Sequence, residues 1–237
     1  MTTLRNTIFG RSKHSPNLFL GGVANLYPTK ALLASKLNTP INNIYNFSIT
    51  GSDISCCIVA VCTPSGFTDI TALTYFEDRS GLIRYFLGNG YYPFRGCTNL
   101  KYVIMQGILK FGPSAFGNCI NLEYIIAPKL DSIDSEATND GITIFQSCNK
   151  ITQLDFPLLT KFYSNYALSG LTGLTYFNIP KCTTLGKTTG NNSFFLNIKI
   201  GLVVNCNVAL QTCNSGAADG DLQYVITSRG ATINYMP

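Results

Sequence analysis

The sequence predicts a mainly-β solenoid of about five stacked units, with short helical or irregular segments and β caps at its two ends. Three observations carry that prediction. Apolar residues recur in quartets spaced by three: Phe94, Cys97, Leu100, Val103; Phe116, Cys119, Leu122, Ile125; Phe145, Cys148, Ile151, Leu154; and Leu168, Leu171, Leu174, Phe177. A second apolar pair follows each quartet, its first member 14 residues after the quartet's start: Ile108 and Phe111, Leu130 and Ile133, Leu159 and Phe162, Cys182 and Leu185. Proline closes the strand-like segment in three of the four units, at Pro128, Pro157 and Pro180. Units of this size, at steps of 22, 29 and 23 residues, cannot bury an apolar edge alone, so stacking must create the core.

The chain begins with a basic segment, residues 1–52. Arg5, Arg11, Lys13, Lys30 and Lys36 all precede the first acid, Asp53, and the 12 remaining bases cancel the 12 acids, so the whole net charge of +5 sits there. Such an arm either docks on an acidic surface or phosphate, or is a solvated segment without a partner. Within it, residues 28–37 read as a short helix with Leu32, Leu33 and Leu37 on one side. Residues 44–62 read as one or two strands forming an N-terminal cap.

The second division, residues 53–190, holds the repeats. A degenerate first unit, Phe67, Ile70, Leu73 and Phe76, precedes the four regular ones, with its second pair, Leu82 and Tyr85, displaced by one residue. An insertion around 132–144 accounts for the long step. In the third division, 191–237, residues 194–210 and 222–235 read as strands of a C-terminal cap, separated by a Gly/Asn/Asp-rich loop at 212–220, with a hairpin turn at 228–230.

The repeated pattern F-x-x-C-x-x-L-x-x-I-x-I-P, carried best by Phe116, Cys119, Leu122, Ile125 and Pro128, resembles the BspA-type leucine-rich repeat of bacterial surface antigens over residues 67–190. The resemblance implies a leucine-rich-repeat solenoid of about five units with N- and C-terminal β caps. Short parallel strands would line one face, and turns or short helical pieces the other. It also implies a mostly non-catalytic module that binds proteins or glycans at surfaces. The unit at Leu168 departs from the pattern, with Leu replacing both Phe and Cys. The stretch from Ala209 to Tyr235 resembles the ending of leucine-rich-repeat fibre proteins of phages and prophages infecting Bacteroides-like and Flavobacterium-like bacteria.

Nine cysteines fit the repeat better than a redox role. Cys97, Cys119 and Cys148 share one register position, where a small apolar side chain suits a stacked core, and buried free thiols are expected rather than a disulfide framework. Cys56, Cys57, Cys62, Cys206 and Cys213 lack zinc-ribbon spacing and the chain has a single His, so neither metal nor other cofactor is expected.

Alternation along each strand turns successive side chains to opposite faces. The outward pairs are then Tyr75 and Glu77, Tyr102 and Ile104, Tyr124 and Ile126, Gln153 and Asp155, Tyr176 and Asn178. The candidate contact residues are Tyr75, Tyr102, Ile104, Tyr124, Ile126, Tyr176 and Asn178. A tyrosine stripe suits sugar stacking or a protein interface, since each ring joins apolar area to a hydroxyl. It equally suits a ladder packed on itself or on the N-terminal region.

Composition excludes several classes. Charged residues make up 12% of the chain, half of the ~25% typical of soluble domains, and 46% hydrophobic content excludes disorder. With 22 Asn and 21 Gly, the surface must be largely neutral and polar. The longest apolar stretch, 54–62, is about half of the ~20 residues a membrane helix needs. The only histidine, His14, lies in the arm, so Ser-His-Asp and Cys-His chemistry lack a base in the folded part. Asp131, Asp134, Glu136 and Asp140 read as a solvated acidic loop, and Asp219 with Asp221 as a turn. No phosphate-binding loop or dinucleotide fingerprint is present. The repeats carry no net positive charge, which disfavours nucleic acid.

The expectation is therefore a non-enzymatic virion surface or fibre protein. Arg5, Arg11 and Lys13 would attach it to other virion structural proteins, and the repeat face would bind a host-surface glycan, mucin-like polymer or protein. The alternative is a bacterial surface adhesin or host-interaction protein. No secretory signal is read in residues 1–24, which places synthesis in the host cytoplasm and display on the virion, or, for the alternative, export to the cell surface by a non-classical route. A homo-oligomer is expected, a trimer by analogy with fibres, with no nucleic-acid or membrane partner.

Overall fold

A computed structural model describes residues 44–50, 53–58, 67–69, 71, 73–78, 83–84, 92–134, 144–164, 166–186, 193–214 and 219–237. The expected helix at 28–37, the arm residues Arg5, Arg11 and Lys13, the offset pair Leu82 and Tyr85, and the insertion from 135 to 143 lie outside the described residues.

The chain winds so that each unit contributes a strand to a parallel ladder. The first sheet begins with β1 (Ile44–Thr50), antiparallel to β2 (Asp53–Ile58). It continues in parallel through β3 (Tyr75–Asp78), β4 (Tyr102–Met105) and β6 (Tyr124–Ile126). A second parallel ladder is built from the apolar pairs that follow each quartet: β5 (Lys110–Phe111), β7 (Ser132–Asp134), β9 (Lys161–Tyr163) and β11 (Thr184–Leu185). The second face was expected to hold turns or helical pieces, and it holds short strands instead. Phe111, Ile133, Phe162 and Leu185 point inward from them and are buried.

A third sheet runs in the order β8 (Gln153–Asp155), β10 (Tyr176–Ile179), β12 (Val203–Asn207) and β13 (Thr232–Met236), all parallel. Among the described residues no backbone hydrogen bond joins β6 to β8. The first and third sheets therefore meet at a seam, at the 29-residue step. The coils remain stacked across this seam on the turn side, where Phe116 N–H donates to Ile144 O at 3.0 Å and Asn118 N–H to Gln146 O at 2.8 Å.

The quartets form the core. Phe67, Phe94, Phe116 and Phe145 stack in a column, with centroid spacings of 5.5, 5.4 and 5.6 Å and interplanar angles of 10, 4 and 9°. The next column is the thiols. Cys97, Cys119 and Cys148 are buried thiols. Each S–H donates to the carbonyl of the preceding unit's phenylalanine: Cys97 to Phe67 O and Cys119 to Phe94 O at 2.9 Å, and Cys148 to Phe116 O at 3.0 Å. Burial pushes the Cys119 thiol far up and the Cys148 thiol up to about 12, so neither supplies a thiolate. The residue before the Cys position takes a left-handed conformation in every unit: Asp69, Gly96, Asn118, Ser147, Gly170 and Asn197, with φ between 57 and 78°. That demand recruits Gly, Asn and Asp and accounts for part of the Asn and Gly content.

Two parts of the C-terminal division differ from expectation. Residues 194–210 do not form one long strand: the coil spacing recurs once more at Phe195, Ile198 and Val204, and Val204 pairs in register with Phe177. Residues 222–235 are not a strand with a hairpin turn either. They comprise helix α1 (Gly220–Arg229) and then β13. Asp219 caps the helix N-terminus by accepting from the Asp221 and Leu222 N–H groups. Gly230, at φ 60°, closes it with its N–H donating to Ile226 O and Val225 O, as glycine does at helix C-termini.

Two buried carboxyls hold α1 to the coil. Asp221 accepts from Phe194 N–H at 3.0 Å, and both Asp219 and Asp221 are 1% exposed. Burial pushes Asp221 up to about 6; the Phe194 N–H opposes the rise and the Asp219 charge adds to it. Burial raises Asp219 in the same direction. An unfolded aspartate titrates near ~3.9, so between about pH 4 and 6 the folded chain holds the extra proton. Stability from this group is thus full below about pH 4 and falls as pH rises to about 6. Asp221→Asn is expected to flatten that slope. Relative to the wild type, the variant should gain on the order of 1–3 kcal/mol between pH 4 and 7 in urea melts, and parallel profiles would refute the assignment.

Candidate functional site

The outward face of the strands divides into two panels. On the first, the cross-strand register aligns Tyr75, Tyr102 and Tyr124. Tyr102 and Tyr124 lie face to face, centroids 5.7 Å apart and planes 4° apart, and Tyr75 tilts against Tyr102 at 6.4 Å and 51°. All three are half-buried, so the rings pack on one another and still present apolar area. Tyr75 O–H donates to Glu77 Oε2 at 2.9 Å, and Tyr102 O–H to Glu123 Oε2 at 3.3 Å. Burial first, and then the Glu123 carboxylate, push the Tyr102 phenol up. It stays a neutral donor at physiological pH.

Ile104 is not a contact residue. Its register places it between Glu77 and Ile126 and it is 3% exposed, though it lies outside the contiguous core cluster. Strand parity fixes a side chain's face and not its depth, and Ile104 is buried on that face. Ile126, nearer the seam, stays half-exposed.

Tyr176 and Asn178 lie on the second panel, across the seam and beyond Gln153, so the seven candidates do not form one site. Tyr176 Oη accepts from Asn205 Nδ2 at 2.8 Å. Asn178 belongs to an amide ladder that sequence reasoning missed. Asn178 Nδ2 donates to Asp155 Oδ1 at 2.7 Å, Asn205 Nδ2 to Asn178 Oδ1 at 3.1 Å, and Asn234 Nδ2 to Asn205 Oδ1 at 2.8 Å. The available signal was a polar residue two positions after each strand's first residue, at 155, 178, 205 and 234. A further surface chain at the coil edge links Lys150 Nζ to Asn121 Oδ1 at 2.7 Å and Asn121 Nδ2 to Thr98 O at 2.8 Å.

Among the described residues, no group of three or more His, Cys, Asp or Glu is arranged to hold a metal ion. No helix of the described residues is long and apolar enough to cross a membrane.

The family described as the BspA-type leucine-rich repeat region matches residues 89–201, in six copies. This stretch is thus similar to a BspA-type leucine-rich repeat region. Its six copies reach past residue 190, in line with the extra coil at Phe195. Among solved structures, the chain is similar to a leucine-rich repeat protein from Bacteroides ovatus, at 19% identity and a TM-score of 0.49. That match covers 76% of this chain and 43% of the other, so the chain spans less than half the length of the B. ovatus protein. It is also similar to a leucine-rich repeat protein of T. pallidum, at 15% identity and a TM-score of 0.42, covering 84% of this chain and 98% of that one. No curated protein matches the chain. Leucine-rich repeats of this type are typically non-catalytic interaction domains, and the two panels offer stacking and hydrogen-bonding surfaces.

Proposed function

We propose that this leucine-rich repeat chain is a non-enzymatic recognition scaffold, with the Tyr75, Tyr102 and Tyr124 panel as its contact surface for a glycan or protein on a cell surface. The observation that carries the reading is the parallel, stacked Tyr102 and Tyr124 pair. The half-buried, stacked rings leave a stripe of apolar area with hydroxyls along it, which fits a pyranose ring or an extended side-chain row. In the finer reading the scaffold is carried on a virion. The division of charge supports this: the whole +5 precedes residue 53, which suits an attachment arm of Arg5, Arg11 and Lys13 joined to a neutral scaffold.

The test is adsorption of the purified protein to a panel of bacterial cells and to an array of bacterial and mucin glycans. Tyr102→Ala and Tyr124→Ala should each weaken binding by roughly 1–3 kcal/mol, as truncated aromatic hot spots do, while leaving the melting profile cooperative. Wild-type affinity in both variants would end the assignment of this panel.

A further inference from the structure

Strand β13 closes the third sheet at an edge built differently from the other sheet ends. β5 and β11 are two residues long, and the ladder of β1 carries a register shift between Tyr45 and Ser48; short or irregular edges resist further pairing. β13 has five residues, all in unbroken register with β12. No charged residue or proline lies between 230 and 236.

Its inward column is also unfinished. Val204 and Cys206 are fully buried, yet their ladder partners Ile233 and Tyr235 are only half-buried against the core. Thr232 N–H donates to Leu202 O at 2.9 Å, so the backbone groups of Thr232, Asn234 and Met236 face β12. Those of Ile233 and Tyr235 must then face away from it. Among the described residues they meet no further strand. The amide ladder ends at the same edge: Asn234 Nδ2 donates inward to Asn205, and its Oδ1 accepts from none of the described residues.

We infer that a second copy of this chain pairs here, β13 against β13 in antiparallel register about a two-fold axis through Asn234. This register is the one that uses every outward backbone group. Ile233 and Tyr235 of one copy exchange both N–H···O=C bonds with Tyr235 and Ile233 of the other, and Asn234 faces its own counterpart in the closer, non-hydrogen-bonded position. Ile233 meets Tyr235 on the inner face, finishing the column each copy leaves half-covered. On the outer face the two Asn234 amides are placed to bond reciprocally. The ladder from Asp155 then runs through both copies. With no formal charge at the edge, the two copies meet without repulsion, and a two-fold contact of this kind closes on itself.

The full chain in sedimentation equilibrium is expected to form a dimer. Asn234→Lys places two cations opposite one another on a side chain that is exposed in the single copy, and should weaken the dimer at least tenfold without altering the melting profile at low concentration. In a Cys213→Ser background, Asn234→Cys should give a covalent dimer on mild oxidation, because it faces itself. Thr232→Cys, which faces Met236, should not. A monomeric wild type, a dimer insensitive to Asn234→Lys, an open-ended series of oligomers, or equal cross-linking of the two cysteine variants would each overturn the pairing.

Discussion

Phe116→Ala is expected to lower the unfolding free energy by ~3–5 kcal/mol, the largest single effect in the molecule. The ring is fully buried and is held on three sides. Phe94 and Phe145 stack above and below it at 5.4 and 5.6 Å, and Phe111 of the second ladder meets it edge-on at 5.1 Å and 87°. Removing it leaves a void that neighbouring coils cannot fill, because each neighbour's position is fixed by the hydrogen bonds of its own turn. The void also falls beside the seam between β6 and β8, where the first-face ladder is absent and the turn-side stacking shares the connection with the β7 and β9 pair. In a quasi-one-dimensional array, stability is a sum of unit and nearest-neighbour terms. A break here should therefore separate the unfolding of residues before the seam from that of residues after it. Urea melts followed by tyrosine fluorescence and by circular dichroism should coincide in the wild type and part in the variant. A loss below about 1 kcal/mol, which is the scale of an ordinary single substitution, would mean that the column is not what joins the coils.

The fold was legible where one physical demand repeats. The inward quartet positions must be apolar in every coil, so their spacing is visible without any structure, and the Cys column follows from the same register. The pairs Ile108 with Phe111 and Leu159 with Phe162 were visible as apolar pairs but not as strands. Two or three residues are too few to show alternation, and the parallel ladder that makes them strands comes from coils more than 20 residues away. Helix α1 was hidden because its buried stripe is only Leu222, Asp221 and Val225, while Val225, Ile226 and Thr227 favour strand by propensity. Its two caps, Asp219 and Gly230, decide the matter locally. The alignment of Tyr75, Tyr102 and Tyr124 was legible because parity fixes which way a side chain points. Ile104 was misjudged because parity says nothing about how deeply its neighbours bury it. The amide ladder escaped notice because a single Asn on a strand reads as ordinary surface, and only register turns three of them, with Asp155, into a connected row.

Gly173→Ala is expected to cost about 3 kcal/mol, the upper end of the range for overpacking, although glycine's backbone freedom plays no part in it. A β-carbon at 173 would lie 2.3 Å from the Asn149 carbonyl oxygen and 3.0 Å from that of Ile151, and backbone atoms cannot swing aside as a side chain would. The equivalent positions in other coils hold Asn99, Asn121 and Lys150, so the requirement belongs to this pair of coils alone. Relief would require the coil of β10 to move away from that of β8. Thr175 N–H and Oγ1 both bond Thr152 O, at 2.9 and 3.0 Å, and Asn178 holds Asp155 at 2.7 Å; that movement would strain all three contacts. Gly170 supplies the control. Its φ is 78° but nothing lies within 4 Å of its added β-carbon, so Gly170→Ala should cost only the left-handed backbone penalty of about 1 kcal/mol. Amide exchange should accelerate at Thr175 and Tyr176 in Gly173→Ala and stay unchanged there in Gly170→Ala. Equal destabilisation by the two variants would show that conformation, not close approach, is what glycine provides at 173.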